Sequence, residues 1–237
     1  MMTGKRIIIM YILLGLVPGM ANGQSENSKA IEILRKSNES IKNAKSAGFT
    51  SEYTLYAGHA SKSVIEAYEG VVLKSGTETY FKIGNTEFVS FGSMALKISH
   101  DQKAIAVEQR HDEDFPLSLD AYMKGFSSKI TENEASYICE LKPAKVSQFM
   151  FSKVILHISK KDYFIMKQEL FFVEEAQRYD QDKKLVAYLP RLEINFRKRQ
   201  KSVSDEKLFK RESYFSEANN KLVFTKSLSG YKIFNSY

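Results

Sequence analysis

The residues of this chain that could do chemistry are four histidines, one cysteine, a serine after a glycine and a run of acids. The densest group is His111-Asp112-Glu113-Asp114, which offers hard-cation ligands or a general base. Consecutive residues cannot all converge on one point, and no calcium-loop spacing surrounds them. A solvated loop between a strand and a helix is the simpler reading. His59, His100 and His157 are scattered through turns or an outward strand position, without the spacing of a zinc pair on one helix. Ser93 stands in Phe91-Gly92-Ser93-Met94, which lacks the second glycine of a nucleophile elbow and leads into a strand. Cys139 lies mid-strand, where a buried inert thiol is expected rather than a nucleophile. The chain has neither a phosphate-binding glycine loop nor a dinucleotide fingerprint. The expectation is a protein that is not an enzyme, with no catalytic residue, no metal site and no cofactor.

The elements that remain must then be read for binding. Lys5 and Arg6 precede an apolar run from Ile7 to Met20, followed by Ala21-Asn22-Gly23. A basic start, a short apolar middle and a small-x-small ending predict a secretory signal over residues 1–23, leaving one domain over 24–237. The run is short for a membrane span and holds Gly15, Pro18 and Gly19. No cysteine follows it to carry a lipid anchor. The net charge of +7 includes Lys5 and Arg6, so the mature chain stays basic. A single cysteine allows no internal disulfide, so a sheet packed on helices has to hold the fold.

Residues 25–46 read as a helix. Ala30, Leu34, Ser37, Ile41 and Ala44 recur at three-four spacing with Ile31 and Ile33 beside them, Ser25 or Ser28 capping the start and Gly48 just past the end. Strand-like runs follow at Phe49–Tyr56, Ile65–Leu73, Tyr80–Ile83, Glu87–Phe91, Leu96–Ile98 and Ile105–Val107. The breaks Ser75-Gly76, Gly84-Asn85, Gly92-Ser93 and His100-Asp101 favour turns, so neighbours pair antiparallel as a meander. Gly70 marks a bulge or strong bend in that reading. Leu117 to Phe126 reads as a short helix. Further strands are expected at Ser136–Leu141, Val154–Ile158, Tyr163–Val173, Leu192–Phe196, Lys221–Thr225 and Tyr231–Phe234. The total is about ten strands and two or three helices, with a sheet wet on one face. The predicted fold class is α+β, a curved antiparallel sheet forming an open, incomplete β-barrel with helices covering the concave side.

The basic run Arg197-Lys198-Arg199-Gln200-Lys201 could meet an anionic lipid surface or an acidic envelope protein, although a solvated strand end is the simpler reading. Nucleic acid is not expected for an exported chain. The 16 Phe and 13 Tyr are mostly core, yet a helix laid over a curved sheet can leave an apolar hollow. Burying an acyl chain of about 15 carbons there would gain roughly 12 kcal/mol at about 0.8 per methylene. Association would cost about 4–15 kcal/mol. Two terms that nearly offset suit a carrier that must release its cargo. The candidate ligand cavity is the apolar face of the meander, formed by Leu73, Phe81, Ile83, Leu96, Ile98, Ile105 and Val107, with Leu119 and Met123 as lid.

The order of elements resembles the LolA-like family of periplasmic lipoprotein carriers. The resemblance is carried by Lys29–Ala44 as first helix, Gly70-Val71-Val72-Leu73-Lys74 as an early strand, and Leu96-Lys97-Ile98 with Ile105-Ala106-Val107 as a hairpin. Phe115–Phe126 would be the inserted helix and Gly230-Tyr231-Lys232-Ile233-Phe234-Asn235 the closing strand. It implies an open barrel with a helical lid, a monomer acting as carrier or chaperone for lipid or lipoprotein acyl chains, and a periplasmic location. The family's Arg-Pro pair after the early strand is replaced by Lys74-Ser75-Gly76, so its lid latch does not carry over. Related members of the fold are receptors or sensors, which makes a non-enzymatic envelope sensor or assembly factor the alternative.

Overall fold

Alternation of apolar and polar residues builds most of this chain into strands. In a computed structural model, residues 28–110, 119, 123, 125–144, 149–179, 182–199, 203–218 and 221–235 are described. The signal segment and the acidic run at 111–114 lie outside the described residues, as does Ser25.

One α-helix is described, α1 (Ser28–Lys42), ahead of the strands. The first eight are β1 (Ser46–Tyr56), β2 (Val64–Ser75), β3 (Glu78–Ile83), β4 (Thr86–Phe91), β5 (Met94–Ser99), β6 (Ala104–Gln109), β7 (Phe126–Glu132) and β8 (Ser136–Pro143). The rest are β9 (Phe151–Ser159), β10 (Ile165–Phe172), β11 (Ala176–Tyr179), β12 (Leu185–Tyr188), β13 (Arg191–Lys198), β14 (Phe215–Ala218), β15 (Lys221–Phe224) and β16 (Lys232–Asn235). Twelve of these form one open sheet in the order β16-β6-β5-β4-β3-β2-β1-β13-β10-β9-β8-β7, while β11-β12 and β14-β15 are separate hairpins. The fold is α+β, as expected, with more strands than the alternation alone reveals and with most of the expected strands longer.

The meander matches its sequence signals closely. Gly76, Gly84 and Gly92 take φ of +62°, +54° and +58° as the first loop residue of each two-residue hairpin. The second loop residue keeps negative φ, which is the type II′ arrangement. Gly70, expected at a bulge or strong bend, pairs with Ile83 in a register with β3 that runs unbroken to Ser75. Gly48 is not the helix terminus but a buried position within β1. Its carbonyl accepts the Arg199 amide at 2.9 Å. A Cβ at Gly48 would stand 3.1 Å from the Arg199 carbonyl oxygen.

Compactness divides the chain into two units, each assembled from three stretches. The first holds residues up to Asn43, Tyr53–Ala67 and Glu113–Asn195. In it α1 packs on β7. Ala30, Ile33, Leu34, Ser37 and Ile41 are buried, close to the stripe the periodicity marks. Glu132 binds Lys29 and Lys160, each at 2.9 Å, tying the start of the helix to the strand end. Hydrogen bonds from both ammonium groups hold its carboxyl down at about 2. Of the helix expected at 117–126, only Leu119, Met123, Gly125 and Phe126 are described, and Phe126 opens β7.

The second unit holds Ala44–Glu52, Tyr68–Asp112 and Phe196–Tyr237. It contains the meander and the C-terminal elements, which include two 3₁₀ turns at Val203–Phe209 and Arg211–Ser213 and a third at Lys226–Leu228. Strand β16 closes the β6 edge in parallel register, Lys232 to Asn235 opposite Ala104 to Val107.

Candidate functional site

Residues opposite one another in neighbouring strands share a sheet face, so the pairing register sorts the candidate residues. Leu73, Tyr80, Val89, Leu96 and Val107 form one row across five strands. Ile98 and Ile105 face each other two residues further along the same surface. Leu73, Leu96, Ile98, Ile105 and Val107 are therefore brought together, and all are fully buried. Phe81 and Ile83 are not with them. Phe81 pairs with Val72 and Phe88, and Ile83 with Gly70 and Thr86, which places both on the opposite face. Phe81 stacks on Phe88 there at 4.2 Å between ring centroids. Leu119 and Met123 belong to the first unit. The Leu119 amide donates to Asn38 Oδ1 at 3.2 Å, and the Met123 amide to the Leu119 carbonyl at 3.1 Å.

In its own unit the five-residue face is covered by the C-terminal segment. Tyr214, Phe215 and Leu228 are buried in the same cluster, and Leu208, Phe209, Leu222, Phe224 and Tyr231 pack around it. Phe91 contacts Tyr214 and Phe215 at 5.5 and 6.0 Å between centroids. The Tyr214 hydroxyl donates to the Leu208 carbonyl at 3.2 Å. Two strands of this segment, β15 and β16, fall where the sequence predicts them. The 3₁₀ turns and β14 are not expected from it, because pieces that short carry no sustained period.

A polar edge borders the face. Glu87 Oε1 stands 3.1 Å from Lys82 Nζ and 3.1 Å from His100 Nε2. The histidine approach is close but out of hydrogen-bond alignment, so Nε2 has no hydrogen-bond partner. His100 Nδ1 is 2.9 Å from the Tyr231 hydroxyl. Burial, reinforced by the Glu87 charge, pushes the phenols of Tyr80 and Tyr214 well above their ordinary range.

The other candidates have structural partners. His59 Nε2 lies 3.0 Å from the Phe172 carbonyl oxygen, and Arg191 donates to the His59 carbonyl at 3.0 Å. His157 Nε2 is 3.3 Å from Glu169 Oε1, and the same carboxylate is 3.3 Å from Lys167 Nζ. The hydrogen bond from His157 leads the effects that hold Glu169 down at about 2. Cys139 is buried in β8, and burial pushes its thiol up to about 12. Among the described residues no three His, Cys, Asp or Glu side chains converge on a metal site. In the basic run, Arg197 pairs with Glu52 at 3.1 Å and Arg199 with Asp205 at 2.7 Å.

No protein-family model matches the chain, and no curated protein does. Among solved structures it is similar to an uncharacterized conserved protein from Thermus thermophilus, with 10% identity, TM-score 0.47, and 88% of this chain covering 99% of that one. It is similar to a LolA superfamily protein from Nitrosomonas europaea, with 13% identity, TM-score 0.37, and coverage of 78% and 99%. It is also similar to the Pseudomonas aeruginosa MucA/MucB complex, with 8% identity, TM-score 0.42, and coverage of 84% and 64%. LolA superfamily proteins are thus among the solved structures that this chain resembles.

Proposed function

We propose that the protein is an exported, periplasmic, non-enzymatic binding protein that holds a lipid or lipoprotein acyl chain against the meander. The observation that carries this reading is the aliphatic surface of Leu73, Leu96, Ile98, Ile105 and Val107. Its cover within the unit is made of 3₁₀ turns and a small hairpin rather than an α-helix. A hydrocarbon chain asks for this chemistry: a broad apolar wall, with polar groups at its borders. Phe81 and Ile83 fall outside the site, on the opposite sheet face. Organic extraction of the purified protein, followed by mass spectrometry, tests the reading. Co-purifying acyl lipid is the expected result. A lipid-free protein that also fails to bind a fluorescent fatty acid overturns it.

The second reading, a sensor or assembly factor for a protein partner, has its own observation. Tyr179 and Leu185 face each other on the β11–β12 hairpin and are 69% and 54% exposed. The basic run contributes less to this reading than its charge implies, because Arg197 and Arg199 already hold acids of the same chain.

A further inference from the structure

We infer that the acyl site lies beneath the C-terminal segment, and that residues 203–218 and 221–235 act as a strap that an acyl chain displaces. This rests on the lipid-binding reading and locates its ligand. Three observations carry it.

The strap hides a fully buried apolar surface of its unit using little structure of its own. Its helical pieces are single 3₁₀ segments and its hairpin strands are four residues each. Such pieces gain most of their stability from what they pack on, so they detach without breaking a long element. What they bury is Tyr214, Phe215 and Leu228, which a hydrocarbon chain replaces apolar for apolar.

The strap's last anchor is light. Strand β16 pairs over four residues, while Ile233 and Phe234 remain 49% and 56% exposed. It is therefore held mainly by backbone hydrogen bonds on one edge. The entry to β16 adds the Lys232 amide to the Lys103 carbonyl at 2.8 Å, and the Tyr231 hydroxyl to His100 at 2.9 Å.

The surface beneath has the right reach. From Leu73 in β2 to Val107 in β6 the row crosses five strands, about 19 Å at about 4.8 Å per step. That is close to the length of an extended acyl chain of about 15 carbons. At one border stand Lys82, Glu87 and His100, polar groups suited to the end of a chain that carries a carboxyl or ester.

The test locks the strap. In a Cys139→Ala background, Ala106→Cys and Phe234→Cys place thiols at paired positions of β6 and β16. Binding of dansyl-undecanoic acid is then measured on the oxidised and reduced forms, with the crosslink confirmed by mass. The reduced form should bind the probe, and the oxidised form should bind it at least tenfold more weakly. Tyr231→Phe, which removes the His100 bond, should tighten binding severalfold. Hydrogen exchange should show the β16 amides losing protection when the probe binds. Equal binding by the oxidised and reduced forms, or probe binding with β16 still protected, overturns the strap while leaving the lipid-binding reading standing. If the unmodified protein does not bind the probe either, both fall together.

Discussion

Arg199 grips Asp205 through one guanidinium nitrogen, 2.7 and 3.0 Å from its two carboxylate oxygens. Asp205 is nearly buried, so this pair is shielded from water more than a surface ion pair is. It fixes the start of the first 3₁₀ turn to the end of β13. Asp205→Ala should destabilise the protein by about 1–3 kcal/mol, because it leaves the arginine without its charged acceptor. Asp205→Asn should recover part of the loss. Urea unfolding midpoints check both.

Glu169 makes a pH prediction. Its carboxyl is held at about 2 in the folded protein, below the ordinary value near 4.5, chiefly by the hydrogen bond from His157. A depressed carboxylate stabilises fully above its unfolded value, and the benefit is lost as pH falls through the folded value. Glu169→Gln should therefore lower the melting temperature at pH 7, at a cost on the order of 2 kcal/mol. The gap should narrow between pH 4.5 and pH 2. Melting curves over that range decide; a gap independent of pH would refute the assignment.

The hairpin glycines differ in what surrounds them. A Cβ at Gly76 would meet nothing within 4 Å, whereas at Gly84 it would meet Tyr68 Cδ1 at 3.3 Å. Gly76→Ala should cost about 1–2 kcal/mol from its left-handed backbone alone. Gly84→Ala should cost more, since the Tyr68 ring has to give way as well. Denaturation midpoints of the two variants rank them.

Cys139 should be silent to a thiol reagent. Burial pushes its thiol up to about 12, so little thiolate forms at pH 8. The native protein should react negligibly with Ellman's reagent at that pH and fully in denaturant. Rapid reaction of the folded protein would show that β8 opens.

Much of this architecture is legible in the sequence, for identifiable reasons. The meander turns announce themselves because a II′ loop demands glycine at its first position, and glycines stand at 76, 84 and 92. The helix stripe shows because its burial follows a 3.6-residue period. The face of β3 does not show. Tyr80, Phe81 and Ile83 are all apolar and all buried, so alternation inside the strand cannot say which side each serves. Only the pairing of Leu73 with Tyr80 settles it. The β11–β12 hairpin hides for another reason. Its strands are four residues long, shorter than any window in which periodicity can be told from chance. In the C-terminal cover β15 and β16 are legible, whereas the 3₁₀ turns and β14 are hidden in the same way, which is why Tyr214, Phe215 and Leu228 were not legible as partners of the candidate face.

The parallel closure of β6 by β16 also sets an order of events. A chain made from its N-terminus finishes the meander at Gln109, but the residues that cover its apolar face and close its edge come roughly a hundred residues later. During that interval the meander presents bare hydrocarbon and an unpaired strand to its surroundings. Escort by a holding chaperone is the remedy such an intermediate calls for. Chains cut short before Val203 would lack the cover altogether and should aggregate where the full-length chain does not.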